Sequence, residues 1–167
     1  MRILWAAVLA AGMWAASVGP SKGKLLVAGG GALGPEIVNK FIELAGGPDA
    51  LIVYIPTADD RNEFPADFVQ NSFLTKAGAR NIVLLHTRDK ALAQTEKFAE
   101  PLKRARGVWF AGGRQWRLVD SYLGTRVDRE LKALLKRGGV IGGTSAGATI
   151  QGSFLVRGAR SGNTIMI

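Results

Sequence analysis

The chain contains no cysteine and one histidine, and beyond residue 145 it has no His, Asp or Glu at all. Without cysteine there is no disulfide framework and no thiolate metal ligand, and the redox compartment leaves no mark on the composition. No metal site and no cofactor is expected. Basic residues outnumber acidic ones, 22 to 13, for a formal charge of +9. They are scattered, with modest clusters at Lys103, Arg104 and Arg106 and at Lys132, Lys136 and Arg137. A basic stripe with interleaved aromatics is missing, as is any recognisable nucleic-acid module, so nucleic acid is not expected as a partner. Attraction to acidic substrates is the milder implication of the charge. Internal repeats and low-complexity segments are absent, and no linker follows residue 22. What is present is 167 residues, 47% hydrophobic, with 22 glycines: one α/β domain with a sizeable core and many tight turns.

The first residues stand apart. Met1-Arg2 supplies one positive charge, Ile3 to Val18 is an uncharged Ala/Trp/Leu-rich run, and Ala15-Ala16-Ser17 offers small residues at a cleavage site. Residues 1–19 therefore read as a secretory signal peptide, implying a secreted or periplasmic protein of residues 22–167. The run of 16 residues is short for a membrane span, which takes about 20. No stable membrane insertion is expected after cleavage; an uncleaved anchor is the other reading.

From Lys24 the chain alternates short apolar runs with helical segments. Strands are expected at Lys24–Ala28, Ala50–Ile55, Asn81–Leu85, Gly107–Phe110 and Val140–Ile141. Helices are expected after Pro35, over Phe64–Ala77, up to about Arg104, over Gln115–Leu123 and over Arg126–Arg137. None of the strands alternates polar with apolar residues, the signature of a parallel sheet covered on both faces. In such sheets ligands bind beyond the carboxyl ends of the strands. The loops at 29–34, 56–61, 111–115 and 143–147 all fall on that edge.

One of these loops carries the sharpest signal. Gly143-Thr144-Ser145-Ala146-Gly147 is a literal G-x-S-x-G between a strand and an Ala-rich helix start. A serine thrust out on such a turn sits in a strained backbone conformation, and glycine two residues either side removes the clashes. Ser145 is the candidate nucleophile, and the Ala146 N–H is placed to hold an oxyanion. Without the serine the stretch would read as a Gly-rich turn.

Other motifs are weaker. Gly29-x-Gly31-x-x-Gly34 matches a dinucleotide fingerprint in form, but the acidic residue wanted at the end of the second strand is missing, where Ile55-Pro56-Thr57 stands instead. A turn lining the site is the better reading. Gly112-Gly113-Arg114-Gln115 follows the fourth strand. It reads equally as a helix-capping turn or as the second half of an oxyanion hole, with Arg114 or Gln115 reaching substrate. His86 ends the third strand. As the only imidazole it is the alternative base for Ser145, although a lone histidine after a strand is more often a loop or capping residue.

On the Gly29–Gly31 turn, Ile55-Pro56-Thr57-Ala58-Asp59, Phe110-Ala111-Gly112-Gly113-Arg114-Gln115 and Gly143-Thr144-Ser145-Ala146-Gly147-Ala148, the chain resembles a known family. This is the cyanophycinase and dipeptidase E family of serine peptidases, and the likeness runs from about Lys24 to Ile167. The resemblance implies a three-layer α/β/α sandwich of the class I glutamine amidotransferase-like, flavodoxin-like kind. It implies Ser145 as nucleophile, the Ala146 and Gly113 amides as oxyanion donors, and Gln115 in contact with substrate. Arg114 stands where the family usually has Asp or Asn. The implied substrates are aspartate-containing peptides: cyanophycin, with β-linked Asp-Arg units, or short peptides with N-terminal Asp. The family's histidine and acidic partner lie downstream of the nucleophile, and the 22 residues after Ser145 offer neither. The chain is therefore expected to be the nucleophile-bearing part of a longer protein, without its last strands and with little turnover of its own. A non-catalytic binder of acidic peptides is the alternative, and a homodimer is the one assembly left open.

Overall fold

The computed structural model describes residues 22–156 and Gly158; the expected leader and the closing run Thr164–Ile167 lie outside the described residues. Twelve elements follow one another among them: β1 (Lys24–Ala28), α1 (Pro35–Ala45), β2 (Ile52–Ile55), α2 (Phe73–Lys76), β3 (Ile82–Leu84), α3 (Lys90–Gln94), α4 (Glu96–Arg104), β4 (Gly107–Phe110), α5 (Gln115–Tyr122), α6 (Arg126–Lys136), β5 (Val140–Thr144) and α7 (Ala146–Thr149). The strands form one sheet in the order β1-β5-β4-β2-β3, every pair parallel.

Each central strand buries both faces, so its residues divide by parity. Ile52, Tyr54, Trp109 and Val140 meet α1 and α2 through Phe41, Ile42, Ala45 and Leu74. Val53, Ile55, Val108, Phe110 and Ile141 meet α3–α6 through Ala93, Leu102, Leu118, Val127 and Leu134. Helices thus cover both faces, and the expected α/β/α sandwich is the observed architecture. Gly142 matters to this packing. A methyl there would stand 2.6 Å from the Trp109 indole, which lies edge-on to Phe41 at 4.9 Å between centroids.

Two expectations are corrected. The helix expected over Phe64–Ala77 is only the four residues of α2. Residues 66–71 are turns, closed by bonds such as Phe68 N to Pro65 O and Asn71 N to Asp67 O. Ser72 interrupts them. Its backbone is extended (φ −68°, ψ 155°) and its hydroxyl accepts from Thr75 N as an N-cap. The apolar pattern that suggested a longer helix belongs to aromatic packing instead, with Phe68 stacked on Tyr54 at 5.5 Å and Phe64 tilted against Phe68 at 4.6 Å. Removing the cap in Ser72→Ala is expected to cost about 1 kcal/mol in urea unfolding; an unchanged midpoint would mean the cap is idle. The second correction lengthens the last strand. β5 runs through Gly142 and Gly143 to Thr144 and pairs with β1 over its whole length.

Strand order does the rest. Because β5 lies between β1 and β4, the loops after β1, β4 and β5 open side by side on the carboxyl edge of the sheet.

Candidate active site

Ser145 sits where β5 turns into α7, with φ 52° and ψ −117°; it is the one non-glycine residue at positive φ among the described residues. Such a conformation costs on the order of 1–3 kcal/mol and persists only where the surroundings over-determine it. They do so here. Ser145 N donates to Ala28 O at 3.3 Å, and Ser145 O accepts from Ala148 N at 2.9 Å and Thr149 N at 3.0 Å. Thr144 Oγ1 donates to Gly29 O at 2.6 Å, tying the residue before the serine to the loop after β1. The flanking glycines are sterically required. A methyl at Gly143 would lie 2.3 Å from Gly147 O, and one at Gly147 would lie 2.1 Å from Phe110 O. The serine side is exposed.

The β4 turn abuts the elbow. A methyl on Gly112 would stand 3.3 Å from Ser145 Cβ and 3.9 Å from Oγ. Gly113 is left-handed at φ 136°, and a methyl there would come 2.1 Å from Ala58 O. That carbonyl instead accepts Arg114 N at 2.8 Å and Arg117 Nη1 at 3.1 Å, so the turn is docked on the loop after β2. Neither the Gly113 nor the Ala146 amide donates to an acceptor among the described residues. Both stand at the turns that border the serine.

The other expected site residues fare differently. Arg114 is half-buried at the N-cap of α5. Gln115 begins α5, and its Nε2 donates to Val156 O at 3.1 Å, so the segment after α7 already holds this amide. His86 is not brought to Ser145. It follows β3, three strands from β5, about 14 Å across the sheet. Both its ring nitrogens are taken, Nδ1 by Thr57 Oγ1 at 2.9 Å and Nε2 by Asn62 O at 3.0 Å. Geometry removes it as the base. Two features escaped sequence reading. Gly112 packs directly against the serine side chain, and Arg117, on α5, pairs with Asp60 at 2.5 Å. The doubled glycine was a signal for the first; nothing local marked the second.

Electrostatics on this edge are basic but partly compensated. Arg61 grips Asp59 through one guanidinium edge, Nε to Oδ1 at 2.9 Å and Nη2 to Oδ2 at 2.8 Å, and holds its carboxyl down at about 2. Burial is the chief cause that pushes the His86 imidazole below its ordinary value of 6.5. Unfolding exposes the ring, so below pH 6.5 the unfolded chain binds a proton that the folded chain resists. Stability from this group is therefore present above pH 6.5 and lost as pH falls through that window. With no other histidine in the chain, the urea midpoint is expected to drop between pH 7.5 and 5.5. The drop should vanish in His86→Gln.

The profile of peptidase family S51 matches residues 25–164. The chain belongs to peptidase family S51. Among curated relatives, the cyanophycinase of Geminocystis herdmanii is 31% identical over 132 residues, covering 78% of this chain and 48% of that protein. The cyanophycinase of Synechococcus elongatus is 31% identical over 139 residues, covering 81% and 43%. The crystal structure of a peptidase from an acI-B1 Actinobacterium superposes with a TM-score of 0.59 at 26% identity, over 77% of this chain and 56% of that one. This S51 chain spans about half the length of the cyanophycinases it matches. Among its described residues no three His, Asp or Glu side chains gather as a metal cluster, and no helix is long and apolar enough to cross a membrane.

Proposed function

We propose that the protein is a serine peptidase that cleaves aspartyl or β-aspartyl peptide bonds with Ser145 as nucleophile. The observation that carries the reading is the strained, exposed Ser145 held between two sterically required glycines, with the Gly112–Gly113 turn against it. Ser145 Oγ attacks the scissile carbonyl carbon, a C–O bond forms, and the carbonyl oxygen takes up the electron pair. The amides of Ala146 and Gly113 hold that oxyanion. The serine proton passes to a base outside the described residues, and the same group returns it to the departing amine as the C–N bond breaks. We assign the base to a histidine with an acidic partner downstream of the serine in a longer form of the protein. Arg114 and Gln115 border the substrate, the arginine favouring an acidic group. The leader-like N-terminus supports a secreted or periplasmic location.

A second reading keeps the site and drops the chemistry. Residues 146–167 contain no His, Asp or Glu, and Arg114 is a cation at the mouth of the site, so a binder of acidic peptides also fits. Incubation with a β-Asp-Arg dipeptide separates them. Ser145-dependent release of aspartate from the longest natural form supports the peptidase; saturable binding without release, in a form whose reading frame stops at Ile167, supports the binder.

A further inference from the structure

We infer that His86 is a positioning residue for the oxyanion turn, acting through Thr57 and Ala58; this rests on the peptidase reading above. The hydrogen bonds around the ring fix their own directions. Asn62 O can only accept, so His86 Nε2 carries the proton. In the neutral ring Nδ1 is then an acceptor, and the Thr57 hydroxyl donates to it. Having spent its hydrogen there, Thr57 Oγ1 accepts from the Tyr122 hydroxyl at 2.6 Å. Tyr122 in turn accepts from Thr87 N at 3.3 Å. The chain of bonds runs one way and satisfies each member.

It ends on the site. Thr57 is fully buried, and its neighbour Ala58 supplies the carbonyl that accepts Arg114 N and Arg117 Nη1 and that the absence of a Gly113 side chain admits. The Pro56–Asp59 turn is closed by Asp59 N to Pro56 O at 2.8 Å, so a shift at Thr57 is carried to Ala58. The ring also holds the far end of the same loop at Asn62. Arg88 reinforces it, donating to the carbonyls of Asp59, Asp60 and Arg61 and to the Asn62 side chain. One imidazole therefore spans the loop on which the Gly113 turn is seated. Protonation at Nδ1 would place a second donor against the Thr57 hydroxyl. Thr57 would then have to reverse its bond and donate to Tyr122, leaving the buried Tyr122 hydroxyl hydrogen without its acceptor inside the core, which is costly. The charged and titratable groups facing the ring are Arg88 beside it, Asp59 from the loop and Tyr122 from α5; Phe64 lies edge-on at 5.0 Å.

Two measurements test this. In the ¹⁵N-labelled 167-residue protein, long-range imidazole spectra are expected to show the Nε2–H tautomer. On acidification the Gly113 and Arg114 amide resonances should move with the midpoint of the ring. A Nδ1–H tautomer, or amides that ignore the ring's titration, would overturn the proposal without any variant having to fold. The kinetic arm uses the longest natural form and a β-Asp-Arg dipeptide. In His86→Asn the amide oxygen stands near Nδ1 and keeps the Thr57 bond; in His86→Gln the amide nitrogen stands near Nε2 and keeps only Asn62. His86→Ala and His86→Gln are expected to lose about tenfold to a hundredfold in kcat with KM unchanged, as for a slightly misplaced donor. His86→Asn is expected to keep most of the rate, which a proton-transferring base would not. Equal loss in all three variants, or no loss in any, would overturn the inference. Wild-type protein without Ser145-dependent hydrolysis would instead sink the peptidase reading, with the resonances still deciding the coupling.

Discussion

Replacing Ser145 by alanine in the longest natural form is expected to abolish labelling by a fluorophosphonate and to lower aspartyl-peptide hydrolysis by about a millionfold. Members of a nucleophile–base unit act together, so losing the serine removes the covalent route entirely. What remains is the modest contribution of the oxyanion amides and substrate binding. The backbone of the elbow does not need the hydroxyl. Its bonds run from Ser145 N to Ala28 O and from Ala148 N and Thr149 N to Ser145 O, all main chain. Alanine should therefore leave the fold and thermal midpoint nearly unchanged, which isolates the chemical effect. Labelling that survives the substitution would sink Ser145 as nucleophile. The 167-residue chain itself is expected to label and turn over little, because no base is hydrogen-bonded to Ser145 Oγ among the described residues and His86 is three strands away with both nitrogens bonded.

The contrast between Ser145 and His86 shows where sequence reasoning ran out. The elbow was legible because its constraint is local. A strained serine needs glycine two residues either side, and both clashes, at Gly143 and Gly147, involve backbone within a few residues or on the neighbouring strand. The parallel sheet was legible for a similar reason: runs such as Ile52–Ile55 and Gly107–Phe110, buried on both faces, carry no polar alternation. Strand order is not written in any one segment. That β5 inserts between β1 and β4, setting the Gly112 turn against Ser145 and leaving His86 remote, depends on how all the crossovers pack. The helix expected over Phe64–Ala77 failed because the turn chemistry of Pro65 and Ser72 outweighed an apolar periodicity that Tyr54 satisfies by ring stacking. The role inferred for His86 needs three residues distant in sequence, Thr57, Asn62 and Tyr122, to converge. No spacing rule announces them.

A methyl group at the helix side of the elbow should have the second-largest effect. In Gly147→Ala the new carbon would stand 2.1 Å from Phe110 O and 2.7 Å from its carbonyl carbon. Overpacking a filled site costs about 1–3 kcal/mol. The upper end is expected here, because the atoms met are strand backbone and cannot rotate aside. Relief comes only by moving α7 away from β4. That carries the Ala146 amide off the oxyanion position and lets Ser145 relax from φ 52°, so activity should fall together with stability. Gly29→Ala is the matching stability control, since a methyl there meets nothing within 4 Å although the residue lies on the same edge. Urea unfolding of the two variants decides the matter. A Gly147→Ala protein as stable as Gly29→Ala would show that α7 shifts freely, and the close seat of helix on strand would no longer explain how the strained serine is held.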